Sequence, residues 1–239
     1  MCKILETRRV NRCVLKIKTK QHLCKQIMIH IQCFCFGFFD ENTYVLWDET
    51  GESVVIDPGN SSTEEHLILK NFIESKNLKL KRLLLTHAHI DHISGNRFVF
   101  DEWKLLPEVH KNDLTYIERH KEISLMYNLP YEESPLPGSY LVEGEKIKLG
   151  NSELEMIFTP GHSPGSITFY NREQKFIIAG DVLFYGSIGR TDLPGGNYED
   201  LINSIKLNLF PLGDDVKVYN GHGEPTTIGF ERKNNPFLI

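Results

Sequence analysis

Residues 83–92 read Leu83-Leu84-Leu85-Thr86-His87-Ala88-His89-Ile90-Asp91-His92. An apolar run of strand type ends in four metal-ligating side chains within six residues. In extended backbone, side-chain direction repeats every two residues, so His87 and His89 project to the same side. A helix beginning near Ile90 would turn Asp91 and His92 back toward the strand end. One metal ion could take the two imidazoles and a second the carboxylate and third imidazole. Imidazole and carboxylate suit zinc, and also iron or manganese. Packing has little use for three histidines and an aspartate at a strand terminus.

Two ions need further ligands, and three later residues stand where an apolar strand gives way to a loop, a common place for sites in α/β folds. His162 follows Met156–Phe158 in Thr159-Pro160-Gly161-His162, Asp181 follows Phe176–Ala179, and His222 follows Val216–Tyr219 in Gly221-His222-Gly223. His22, His30, His66, His110 and His120 lack such a context and read as bystanders. Gly161-His162-Ser163-Pro164-Gly165 also fits the G-x-S-x-G nucleophile elbow. That elbow needs the N–H of the residue after the serine, and Pro164 has none. No phosphate-cradling glycine motif occurs.

Around these residues the chain alternates strands and helices, which predicts an α/β domain with helix-covered sheets. Ile29, Ile31, Cys33 and Cys35 alternate with residues that are also largely apolar, predicting a strand covered on both faces. Tyr44–Trp47 and Ser53–Ile56 read as a hairpin, broken by Asp57-Pro58-Gly59. A helix is expected over 61–76, capped at Ser62 or Thr63, with Leu67, Ile68, Phe72 and Ile73 on one face. Residues 97–138 predict helices near 97–104 and 111–126, then a proline-marked loop, and are expected to wall one side of the site. Strands follow at Ser139–Leu141, Lys146–Leu149, Leu154–Phe158, Ser166–Tyr170 and Lys175–Ala179, then a helix over Tyr198–Leu209 and a strand at Val216–Tyr219.

Of 239 residues, 40% are hydrophobic and 25% charged, ordinary globular composition that excludes disordered and collagen-like classes. The net charge of −5 joins unlike parts: residues 1–26 carry +7, from Lys3 to Lys25 against Glu6 alone, leaving −12 for the rest. A −12 body argues against nucleic-acid binding, which needs a basic footprint. No run approaches the ~18 apolar residues of a membrane span. Five cysteines without a CxxC point to a reducing, cytoplasmic setting rather than a disulfide scaffold. Residues 1–27 lack the apolar core of a secretion signal and read as a basic N-terminal extension upstream of Met28, with 28–239 as one catalytic domain. Oligomeric state is left open.

HxHxDH followed in order by His162, Asp181 and His222, with Asp57 in Ile56-Asp57-Pro58-Gly59, resembles the metallo-β-lactamase superfamily from about Met28 to the C-terminus. The resemblance implies a four-layer αββα sandwich with the metals at one edge of its two sheets. Within the superfamily the pattern is similar to the glyoxalase II-like (hydroxyacylglutathione hydrolase-like) hydrolases. That likeness implies one metal on His87, His89 and His162, a second on Asp91, His92 and His222, Asp181 bridging both, and Asp57 in support. It implies two divalent ions, zinc first, and a bridging hydroxide, oriented by Asp91, that attacks a small anionic thioester. Arg190, in Gly189-Arg190-Thr191-Asp192, stands where glyoxalase II has a substrate-binding lysine. B1 β-lactamases place arginine at the His92 position and cysteine at the Asp181 position, so the pattern departs from theirs. Glyoxalase II has a tyrosine where this chain has Glu224, and a helical C-terminal domain; 17 residues follow His222 here, as in a short single-domain form. The same fold accommodates a persulfide dioxygenase, with one iron on His87, His162 and Asp181, and a lactonase.

Overall fold

The computed structural model describes residues 28–239, so the expected extension over 1–27 lies outside the described residues. The first sheet takes its strands in chain order: β1 (His30–Phe36), β2 (Glu41–Trp47), β3 (Glu52–Ile56), β4 (Lys79–Leu84), β5 (Pro107–Val109) and β6 (Ser139–Tyr140). The remaining strands are β7 (Lys146–Leu149), β8 (Ser152–Phe158), β9 (Ile167–Asn171), β10 (Phe176–Gly180), the small hairpin β11 (Leu183–Phe184) and β12 (Ser187–Ile188), β13 (Lys217–Asn220) and β14 (Thr226–Thr227). All but the hairpin form the second sheet, in the order β14-β13-β10-β9-β8-β7.

Consecutive residues of one strand serve different layers because side chains alternate across a sheet. Leu46, Val54, Ile56 and Leu84 meet Leu154, Met156, Phe169 and Ile178 between the two sheets. Their neighbours Val45, Val55, Leu83 and Leu85 face outward onto α1 (Thr63–Ser75) through Leu69 and Ile73, onto the single turn α2 (Ile90–Ile93) through Ile93, and onto α3 (Asn96–Trp103) through Val99. On the far side, Ile177, Ala179 and Val218 pack on Leu201 of α6 (Tyr198–Asn203) and Ile228 of α7 (Ile228–Asn234). Three apolar interfaces between four layers, two of helices and two of sheet, make the αββα sandwich that the resemblance implies.

Local differences have local causes. β1 packs on both faces as expected, through Ile31 between the sheets and Phe34 and Phe36 on the outer layer, but Cys33 and Cys35 are exposed at this edge of the sheet. In α1 the capping box of Ser62 and Glu65 sets the start, and Leu69 and Ile73 face the core while Leu67 and Ile68 are exposed. The helix expected over 111–126 is a 3₁₀ turn (Lys111–Asp113), α4 (Leu114–Glu118) and α5 (His120–Met126), interrupted at Arg119. The helix expected to Leu209 leaves α geometry after Asn203 for a wider π turn.

The topology gathers the site. β3 and β4 run parallel, as do β10 and β13, and β8 shares the direction of β10 through two antiparallel steps. The C-terminal ends of these strands therefore share one edge, where Asp57, His87 to His92, His162, Asp181 and His222 emerge. Bonds across the sheets close that edge: Ile167 N–H to the Thr86 carbonyl at 2.8 Å and Asn42 N–H to the Gly221 carbonyl at 2.7 Å. Among the described residues no helix is long and apolar enough to cross a membrane.

Candidate metal centre and substrate cavity

Seven ring and carboxylate groups converge at this edge. His89 Nδ1 lies 2.8 Å, and His87 Nε2 3.2 Å, from His162 Nε2. On the other side, His222 Nε2 lies 3.2 Å from Asp91 Oδ2. Asp181 stands between: its Oδ1 is 3.4 Å from His92 Nε2, and its Oδ2 is 3.5 Å from both His162 Nε2 and His222 Nε2. His87, His89 and His162 form one potential metal-holding group, and Asp91, His92 and His222 another. A third, Asp57 with His87 and His92, arises because Asp57 reaches the opposite nitrogen of His92. All seven side chains singled out in the sequence meet here; among the described bystanders, His66 stacks on Phe98 and His30 on Trp47, away from the site.

Hydrogen bonds behind the cluster fix ring orientation. His92 Nδ1 faces Asp57 Oδ2 at 3.1 Å, His162 Nδ1 donates to the Arg190 carbonyl at 2.8 Å, and His222 Nδ1 to the Phe39 carbonyl at 3.0 Å. Each bond leaves Nε2 directed inward, the arrangement that outer partners impose on metal-binding histidines. Asp57 is itself held by Thr86, whose N–H and Oγ1 donate at 2.7 and 2.5 Å. Gly221 permits the approach of the last loop, since a Cβ there would stand 2.1 Å from Asp181 Oδ1.

The donor set fits metal ions. His92 Nε2 and Asp181 Oδ1 are buried with no hydrogen-bond partner, an arrangement that is unfavourable unless something else satisfies them. Two nitrogens bound tetrahedrally to one zinc at ~2.0–2.1 Å stand about 3.4 Å apart, close to the His87–His162 spacing.

Electrostatics divide the cluster into unlike halves. Burial, then repulsion among neighbouring imidazoles, pushes His87 well below the ordinary histidine range and His89 down to about 3. These rings are neutral, with lone pairs available. Burial opposes charge on His92 and His222 too, but Asp181 and Asp91 outweigh it, holding His92 well above its usual range and His222 at about 10. Burial likewise pushes Asp181 up, and the imidazoles of His92 and His222 outweigh it to hold the carboxyl well below the usual range. The carboxylate-rich half thus carries protons that a cation would displace.

A cavity of 830 Å³ opens over the cluster, with His89, Asp91, His162, Asp181 and His222 at its base. As expected, the 97–138 segment forms one wall, through Tyr116, Arg119, Ile123 and Tyr127, while Phe184, Ile188 and Arg190 form the facing one. Tyr116 ties the walls by donating its hydroxyl to the Pro194 carbonyl. Arg190 lines the cavity, and its guanidinium bonds Asp192 at 2.7 and 2.6 Å. Ser163 is a turn residue, donating to Asp113 at 2.7 Å. The sequence reading missed Arg119, Tyr116 and Asp113, and also Glu41, a buried carboxylate 3.7 Å from His92. None of these stands in a local motif; an aspartate ahead of a helix reads as a cap.

Comparison with known proteins agrees with this geometry. The family model described as metallo-beta-lactamase superfamily matches residues 36–222, and the chain belongs to that superfamily. It is a metallo-hydrolase. It is 41% identical over 206 residues to hydroxyacylglutathione hydrolase GloC of Haemophilus influenzae, covering 84% of this chain and 93% of that protein. Among solved structures it is similar to BLEG-1 B3 metallo-beta-lactamase, with TM-score 0.81 and 33% identity over 88% of this chain and 100% of that one. It is also similar to TTHA1623 in a di-iron-bound form, with TM-score 0.78 and 35% identity over 87% of this chain and 100% of that one.

Proposed function

We propose that residues 28–239 form a thioesterase that hydrolyses hydroxyacylglutathione-like thioesters, small anionic molecules, with two divalent ions, zinc by preference. The observation that carries this reading is Asp181, one carboxylate within 3.5 Å of ring nitrogens from both halves of the cluster. The 41% identity to a hydroxyacylglutathione hydrolase supports the substrate class. Exposed free thiols at Cys33 and Cys35 agree with a reducing cytoplasm.

His87, His89 and His162 would hold one ion, Asp91, His92 and His222 the other, and Asp181 both. Two ions there would supply hydroxide at neutral pH and a Lewis acid for the thioester carbonyl. Asp91, which reaches the cavity, would orient the attacking oxygen by a hydrogen bond. Asp57 keeps His92 Nδ1 engaged so that Nε2 stays directed inward. The cavity walls confine the acyl and thiol parts beside the cluster. Arg190 would grip a substrate carboxylate, because a guanidinium has five donors and Asp192 engages only two of its nitrogens.

An assay with S-lactoylglutathione tests the reading, with oxygen uptake on glutathione persulfide measured alongside. Hydrolysis without oxygen uptake supports it; oxygen uptake without hydrolysis overturns it in favour of a persulfide dioxygenase. Arg190→Ala should raise KM by about tenfold with kcat little changed, the scale of one charge-assisted hydrogen bond. An unchanged KM would remove Arg190 from the substrate site.

A further inference from the structure

Asp113, fully buried between β5 and α4, takes no part in the chemistry above. Its Oδ2 accepts the Ala88 N–H at 3.0 Å and the Ser163 hydroxyl at 2.7 Å, and its Oδ1 accepts the Gly165 N–H at 2.6 Å. Ala88 lies between His87 and His89, and Ser163 follows His162. One carboxylate therefore joins the two loops whose histidines make up the nitrogen-rich half of the centre. The approach is close: a Cβ on Gly165 would stand 2.6 Å from Asp113 Oδ1. Burial pushes the Asp113 carboxyl up to about 6, so it is mainly ionised at pH 7 and offers only acceptors, as three donors require.

The other half has supports that Asp113 does not share: the Phe39 carbonyl holds His222, Asn42 holds the Gly221 carbonyl, and Asp57 holds His92 while also bonding Thr86 beside His87. None of the Asp113 hydrogen bonds reaches Asp91, His92 or His222.

We infer that Asp113 is a positioning residue that sets the separation of the His87–His89 loop from His162, and so tunes metal affinity in that half alone. The inference rests on the ligand groups assigned above. It differs from a general packing role, which would weaken both halves through overall stability.

The test is zinc titration of the metal-free full chain against a competing chelator, for the wild type, Asp113→Ala, Asp113→Asn, Ser163→Ala and Asp57→Ala. Wild type should bind two equivalents. Asp113→Ala should retain one equivalent near wild-type affinity and bind the other at least about tenfold more weakly, as loss of an outer partner commonly does. Asp113→Asn should fall between, because its amide sets a donor against one of the three donors, and Ser163→Ala should show a smaller shift in the same equivalent. Asp57→Ala, which releases both His92 and Thr86 beside His87, should weaken both equivalents, the pattern that Asp113→Ala should not show. If Asp113→Ala does not fold, the asparagine and Ser163→Ala titrations decide. Equal weakening of both equivalents by the Asp113 variants, or no change in either, would overturn the inference. A wild-type chain that bound fewer than two would instead overturn the ligand assignment beneath it.

Discussion

Asp181→Asn is expected to lower thioester hydrolysis by more than about a hundredfold, and metal content to fall below two per chain. A hundredfold is the upper end for losing an outer-shell partner, and Asp181 lies inside that shell. The substitution is nearly isosteric, so the loss is one of chemistry. Both carboxylate oxygens face ring nitrogens, Oδ1 toward His92 and Oδ2 toward His162 and His222. An amide keeps one oxygen and turns the other position into a donor, which cannot ligate. It also removes the negative charge that helps hold His92 and His222 above the ordinary histidine range. Elemental analysis and the thioester assay on the same sample check both parts. Full activity with two metals retained would mean that Asp181 does not bridge.

Asp57→Ala should lower stability by about 3 kcal/mol or more and Tm by roughly 6–12 °C, the conversion for a chain of this size. Two causes add. Asp57 accepts from Thr86 N–H and Oγ1 and from His92 Nδ1, and each buried donor left alone is unfavourable by ~1–3 kcal/mol. Asp57 also has a φ of +50°, which aspartate tolerates better than alanine. Asp57→Asn keeps the shape and the backbone tolerance and should restore part of the loss, with one donor still unpaired. Thermal unfolding of the three proteins in metal-free buffer measures this. Equal Tm values would show that the Asp57 bonds contribute nothing net.

The cluster was legible because its side chains sit at strand ends, where apolar run, polar break and candidate ligand follow one another within a few residues. Thr86 to His92 declares itself that way, and His162, Asp181 and His222 repeat the form. The supporting residues were not legible, because their meaning lies in partners far along the chain. Asp113 meets Ser163, 50 residues on, and Asn42 meets Asn220, 178 residues on. No local pattern marks either one. The cover expected for β1 holds at Ile31, Phe34 and Phe36 and stops at Cys33 and Cys35 for a related reason: alternation shows which side chains are apolar, and only the strand order shows that β1 lies at an edge. In α1, Leu67 and Ile68 are as apolar as Leu69 and Ile73, and the orientation of the helix against β3 and β4 selects the latter pair.

Metal content measured together with activity bears most directly on the central claim, that one bridged pair of ions serves thioester hydrolysis. Elemental analysis of the purified chain, stripped and then reloaded stepwise with zinc, should give two ions per chain, with S-lactoylglutathione hydrolysis rising as both sites fill. A chain saturated by a single iron, active in oxygen uptake and inert toward the thioester, would contradict it.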